Sequence, residues 1–84
     1  MNIIVYTKRG CPWCEEVLEL LQSKGVPFEE REVLSNEKYY QEMRDKSGQE
    51  KAPTLDVDGD ILADTDADAV VAFLAEKGLP QFQS

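Results

Sequence analysis

The chain has 84 residues, enough for one small domain and too few for a second hydrophobic core. Its composition, 42% hydrophobic and 31% charged with five glycines and four prolines, is that of an ordinary globular protein without repeats, linkers or low-complexity segments. A net charge of −8 repels phosphates and argues against nucleic acid as a partner; it serves solubility or selects a basic docking face.

No apolar run is long enough to span a membrane, and Met1-Asn2-Ile3 opens no signal peptide. A cytoplasmic location is therefore expected, where closely spaced cysteines are catalytic or metal-binding rather than structural. Ile3-Ile4-Val5-Tyr6 is an apolar, β-branched run that predicts a buried strand. Residues 12–24 predict a helix. Pro12 suits the first turn, where its missing N–H costs nothing, and Cys14, Val17, Leu18 and Leu21 recur on one face. Gly25 and Pro27 end it. Residues 28–33 alternate around Phe28, Arg31 and Val33, as in a strand near a sheet edge. Ser35 is the expected N-cap of a helix over 36–46, with Tyr40 and Met43 toward the core and Gly48 closing it. Residues 54–57 and 60–63 read as strands joined by the tight-turn pair Asp58-Gly59. Asp64-Thr65-Asp66 offers caps for a last helix over 66–77, with Val70, Val71, Phe73 and Leu74 as its apolar side and Gly78 and Pro80 as its stop. Gln81 to Ser84 are expected to fray. The order β-α-β-α-β-β-α makes the first two strands parallel and the last two antiparallel, in a mixed four-stranded sheet with helices on both faces.

The two cysteines, Cys11 and Cys14, lie between the first strand and the first helix. Two thiols separated by two residues at such a turn suit thiol–disulfide exchange. Cys11, at the helix N-terminus and near Lys8 and Arg9, is the expected nucleophile, because amide dipoles and cations favour its thiolate. Cys14 shares the apolar face with Val17 and Leu18 and is the expected resolving thiol. Two inert core cysteines are a poor alternative at a proline-containing turn. Metal binding is the competing chemistry. With no histidine and no third cysteine, one chain cannot build a four-ligand zinc site. Pro53, in Lys51-Ala52-Pro53-Thr54, is compatible by position with either a cis or a trans bond.

Tyr6-Thr7-Lys8-Arg9-Gly10-Cys11-Pro12-Trp13-Cys14 resembles the active-site segment of the glutaredoxins, with Trp13 where tyrosine is more frequent. The element order is similar to that family's thioredoxin fold over nearly the whole chain. The resemblance implies a single domain over residues 1–84, with the activity of a glutathione-dependent oxidoreductase. Its substrates would be protein disulfides and glutathione mixed disulfides, with no bound cofactor; no metal site is expected from the residues present, and nothing in the sequence requires more than a monomer. It implies that Lys8 meets the glycyl carboxylate of glutathione, that Trp13 packs over the ligand, and that Pro12 sets the backbone between the thiols and tunes the potential. It implies a cis Pro53 facing Cys11, which turns the Ala52 backbone toward an extended substrate. Thr65 and Asp66, opening the last helix, would receive the γ-glutamyl carboxylate. Ala63-Asp64 replace a glycine pair of the family, and Lys51 replaces a threonine. That substitution suits a second reading within the fold: a hydrogen donor reduced by thioredoxin reductase, such as those serving ribonucleotide reductase. A third reading is a carrier dimer bridged through Cys11 by an iron–sulfur cluster, which Pro12 is expected to disfavour.

Overall fold

The computed structural model describes residues 1–83. Its elements are β1 (Ile3–Thr7), α1 (Pro12–Ser23), β2 (Glu29–Glu32), α2 (Glu37–Ser47), β3 (Thr54–Val57), β4 (Asp60–Leu62) and α3 (Ala67–Glu76), followed by a 3-10 turn over Pro80–Phe82. The sheet order is β2-β1-β3-β4. β1 runs parallel to β2 and antiparallel to β3, and β4 returns antiparallel on β3. The mixed sheet and the element order therefore match the expectation.

Strand alternation divides the core into two layers. Ile3 and Val5 of β1, with Leu55 and Val57 of β3, face α1 and α3, where Val17, Leu21, Val70 and Leu74 meet them. Ile4 and Tyr6 point to the other face, against Val33 and Met43 of the α2 side. Each fully buried Leu or Val contributes about 1.5–3 kcal/mol, so the β1–β3 centre with its two helices supplies most of the stabilisation. The Asp58-Gly59 connection closes with φ of 52° and 92°, both left-handed, as a two-residue hairpin turn requires.

The α2 layer also carries a polar chain. The fully buried Tyr6 hydroxyl donates to Glu42 Oε1 at 3.0 Å and accepts from Lys46 Nζ at 2.8 Å. Lys46 also donates to Asp56 Oδ2 at 2.7 Å, and Asp56 Oδ1 accepts from the Gly59 amide at 2.8 Å. Arg31 joins Glu42 to Glu29 at the edge strand. Among the described residues no buried side-chain nitrogen or oxygen lacks a partner.

Four local expectations are corrected. Asn36, not Ser35, caps α2. Its side chain accepts from Lys38 N at 3.0 Å, whereas the Ser35 hydroxyl turns back to the Glu32 carbonyl at 3.4 Å. Asp66 is the cap of α3 rather than its first residue, with Oδ1 accepting from Ala69 N at 2.9 Å. Val71 lies 37% exposed, because the buried stripe of this helix passes through Val70 and Leu74. Gln81–Gln83 do not fray: Phe82 is only 8% exposed and packs on the α1–α3 layer, and Gln83 Nε2 donates to the Ala75 carbonyl at 2.6 Å. Ser84 lies outside the described residues.

Candidate active site

The β1 strand delivers the chain to a tight turn at the sheet end. The Cys11 amide donates to the Lys8 carbonyl at 3.2 Å, and Gly10 takes the left-handed φ of 78° that this closure needs. Cys11 then caps α1 from an extended conformation, and Pro12 occupies the first helical turn. Cys11 Sγ, half-buried, accepts the Cys14 amide at 3.3 Å and lies 3.9 Å from the Ala52 carbonyl. A sulfur in this place can receive an N–H and the positive end of the helix dipole when ionised, and can donate to Ala52 when protonated. Cys14 is 2% exposed. Burial above all, and then its hydrogen bond with Cys11, push its thiol up to about 12. One sulfur is thus accessible and the other is withheld directly behind it.

The turn is held from the far side by a residue that sequence reasoning did not single out. The Glu32 carboxylate accepts the Arg9 amide at 3.0 Å, the Leu34 amide at 2.9 Å and the Ser35 amide at 2.8 Å. Partial burial alone would raise this carboxyl; the three amides and the Ser35 hydroxyl outweigh it and hold it at about 2. Nearby, the Thr7 hydroxyl donates to Glu30 Oε2 at 2.8 Å, and a cavity of about 200 Å³ separates Glu30 and Glu32 from Cys14 and Leu18. The only available signal was the acidic run of β2, which gives no hint of a long-range clamp.

A second cavity, of about 370 Å³, opens on the other side of the turn. It brings together Lys8, Trp13, Ala52, Thr65 and Asp66 from the sequence-predicted set, and adds Lys51 and Asp64. Trp13 stands 58% exposed at its rim. Pro12 does not line it; it is exposed in the first turn of α1. Pro53 is buried behind the wall, its bond to Ala52 is cis, and its carbonyl accepts the Thr65 amide at 2.9 Å. Asp64 adopts φ of 49°, and its carboxylate lies 4.0 Å from Lys51 Nζ.

Among the described residues no group of three or more His, Cys, Asp or Glu side chains is arranged to hold a metal ion. Among the described residues no helix is long and apolar enough to cross a membrane.

The chain is similar to known proteins. The chain is 35% identical over 65 residues to glutaredoxin 3 of Escherichia coli K12, a match that covers 77% of this chain and 78% of that protein. It is 37% identical over 57 residues to the N-acetyl-S-hydroxy-L-cysteine reductase of Bacillus subtilis, covering 68% of this chain and 61% of that one. The solved structure of the glutaredoxin-like NrdH-redoxin from Escherichia coli superposes with a TM-score of 0.72 at 20% identity, over 83% of this chain and 91% of that chain. That last likeness concerns the fold alone, which is thioredoxin-like. The glutaredoxin family model matches residues 3–62, from β1 through both cysteines and Pro53 to the end of β4, and the chain belongs to the glutaredoxin family.

Proposed function

We propose that this protein is a dithiol glutaredoxin in activity as well as in family: it reduces protein disulfides and glutathione mixed disulfides, with glutathione as its reductant, in the cytoplasm. The observation that carries the reading is the pairing of a half-exposed Cys11 Sγ, met by the Cys14 amide, with a Cys14 thiol buried behind it. The Cys11 thiolate attacks one sulfur of the substrate disulfide, and the other sulfur leaves as a thiolate that takes up a proton. The resulting mixed disulfide has two fates. Cys14 loses its proton and attacks Cys11 Sγ, which releases the second substrate thiol and leaves a Cys11–Cys14 disulfide. Alternatively, a glutathione thiolate attacks Cys11 Sγ and releases the second substrate thiol, and a second glutathione then attacks the bound glutathione sulfur, which frees the Cys11 thiolate and forms glutathione disulfide.

In this reading the Ala52 backbone pairs with the cysteinyl part of the ligand and Trp13 covers it. Lys8 meets a carboxylate, and Thr65 and Asp66 meet the opposite end. Pro12 and Pro53 shape the walls. No bound cofactor or metal is needed, and a monomer suffices. A second reading, a hydrogen donor reduced by thioredoxin reductase, gains support from Asp64, a carboxylate in the cavity wall near the start of α3.

The test offers the oxidised protein either glutathione with glutathione reductase, or thioredoxin reductase, each with NADPH. Fast turnover with glutathione is expected; turnover with thioredoxin reductase alone would replace the first reading by the second. Cys14→Ser is expected to retain activity on glutathione mixed disulfides and to lose most activity on protein disulfides. Equal loss on both would overturn the assigned roles.

A further inference from the structure

The cavity whose wall includes Ala52, beside Cys11, is lined by charges of both signs. Its cations, Lys8 and Lys51, come from the segments that follow β1 and precede β3; its carboxylates, Asp64 and Asp66, come from the segment between β4 and α3. The two carboxylates are not equivalent. Asp66 Oδ1 is engaged by the Ala69 amide as the helix cap. Asp64 is held at φ of 49°, a left-handed conformation that Asp and Asn tolerate better than other side chains. Among the described residues its carboxylate is met only by Lys51 Nζ, at 4.0 Å, with the two side chains 55% and 74% exposed. So exposed a pair holds weakly, and an incoming cation can take the place of Lys51. The amides at the start of α3 would ordinarily attract an anion. Here one of them, that of Ala69, is already answered by the Asp66 cap, and Asp64 and Asp68 add negative charge beside the others.

We infer that Asp64 selects substrates by charge: it favours disulfides whose reacting cysteine is flanked by lysine or arginine, and disfavours those that bring a carboxylate to the α3 side of the cavity. The substrate class is a cationic cysteinyl segment of a peptide or protein. Glutathione enters as the weaker ligand, with a higher KM than the same cavity would give without Asp64. The inference rests on the exchange reading above and deepens it. The net charge of −8 acts in the same sense at longer range, since it draws basic partners toward the molecule.

Single-turnover kinetics test it with the reduced protein in excess, so that its own dithiol is the reductant. The substrates are tripeptides disulfide-bonded to thionitrobenzoate: Lys-Cys-Gly, Glu-Cys-Gly, Gly-Cys-Lys, Gly-Cys-Glu and neutral Gly-Cys-Gly. Cys11 attacks the peptide sulfur and expels coloured thionitrobenzoate. Cys14 then gives up its proton, attacks Cys11 Sγ and frees the peptide thiol. The readout is the ratio of Lys to Glu peptide rates within one protein, so any general change in folding or in Cys11 reactivity cancels. At low ionic strength one flank is expected to show a ratio of about five to ten, which shrinks toward one in about 1 M salt. Asp64→Asn, which keeps the backbone conformation, is expected to reduce the ratio at least threefold, and Asp64→Gly to do the same. A ratio near one in the unsubstituted protein, or an unchanged ratio in both variants, overturns the inference alone. Failure to expel thionitrobenzoate from Gly-Cys-Gly, or equal expulsion by Cys11→Ser, overturns the exchange reading and the inference with it.

Discussion

Removing the Glu32 carboxylate should loosen the catalytic turn without touching either cysteine. Three backbone amides, those of Arg9, Leu34 and Ser35, converge on it, and they tie the turn before Cys11 to the segment between β2 and α2. A carboxyl held at about 2 against its usual 4.5 sets a ceiling of about 3 kcal/mol on this contribution. Water reaches the partly exposed group and replaces some of the lost bonds, so about 1–2 kcal/mol is expected for Glu32→Ala. In a domain of this size that lowers Tm by roughly 5–15 °C. Glu32→Gln keeps one acceptor oxygen and should lose about half as much. Because the folded carboxyl titrates below its unfolded value, its contribution is complete above about pH 5 and disappears as the pH falls toward 2. Urea unfolding at pH 7 and pH 3 measures this: the gap between the unsubstituted protein and Glu32→Gln should narrow at pH 3. The rate of Cys11 alkylation by iodoacetamide reports the turn itself and should change in both variants. Equal stabilities at pH 7 together with unchanged alkylation would refute the clamp.

The polar chain under α2 makes a separate prediction. Lys46→Met leaves the Asp56 side chain, 12% exposed, without its cation, and should cost about 2–3 kcal/mol in urea unfolding at pH 7. Burial would raise the carboxyls of Asp56 and Glu42, but hydrogen bonds from Lys46 to the first and from Tyr6 and Arg31 to the second hold both below their usual range. Stability measured across pH should therefore be full above about pH 5 and fall in acid. Phe82→Ala should cost about 2–4 kcal/mol, since it empties a site in the α1–α3 layer; a change within 0.5 kcal/mol would mean that the C-terminal turn is not anchored by its ring. With Cys14 buried and its thiol near 12, stoichiometric iodoacetamide at neutral pH should modify Cys11 alone in the native protein, and mass spectrometry of the digested chain reads the ratio.

The parts of the fold that could be read from sequence are those encoded locally. A β-branched run, a proline in the first turn and a helical stripe through Cys14, Val17 and Leu21 lie within some twenty residues and place both thiols. The Asp58-Gly59 turn orders β3 and β4 by itself. Ser35 and Asn36 are chemically equivalent caps one residue apart, and only the backbone decides between them. Phe82 stands alone after a helix stop and belongs to no repeating pattern, so its burial follows from a vacancy between α1 and α3 that is itself tertiary. The Glu32 clamp joins an acceptor to the Arg9 amide 23 residues away, and nothing in an acidic edge strand signals that reach. For the cavity, its predicted members were found by family likeness, and Lys51 and Asp64 stood out as departures from that likeness; their approach to 4.0 Å across the wall is tertiary and has no local signal.

The inequality of the two cysteines has a geometric cause. A cap residue lies outside the helix, with extended backbone, so the Cys11 side chain is free of the helical repeat and rests over the first amides. Cys14 is inside the repeat and must share a stripe with residues three and seven positions on, which here are Val17 and Leu21, both fully buried. Burial of the second thiol therefore follows from its spacing relative to the cap rather than from any special neighbour. One residue fewer would put that thiol at Trp13 and one more at Glu15, both exposed positions of α1. At either, the second sulfur would be open to solvent and to foreign thiols, and the order of attack and resolution would be lost. The same amide that gives Cys14 its place in the helix also donates to Cys11 Sγ at 3.3 Å. The spacing of two thus buries the resolving thiol and solvates the attacking one in a single turn of backbone.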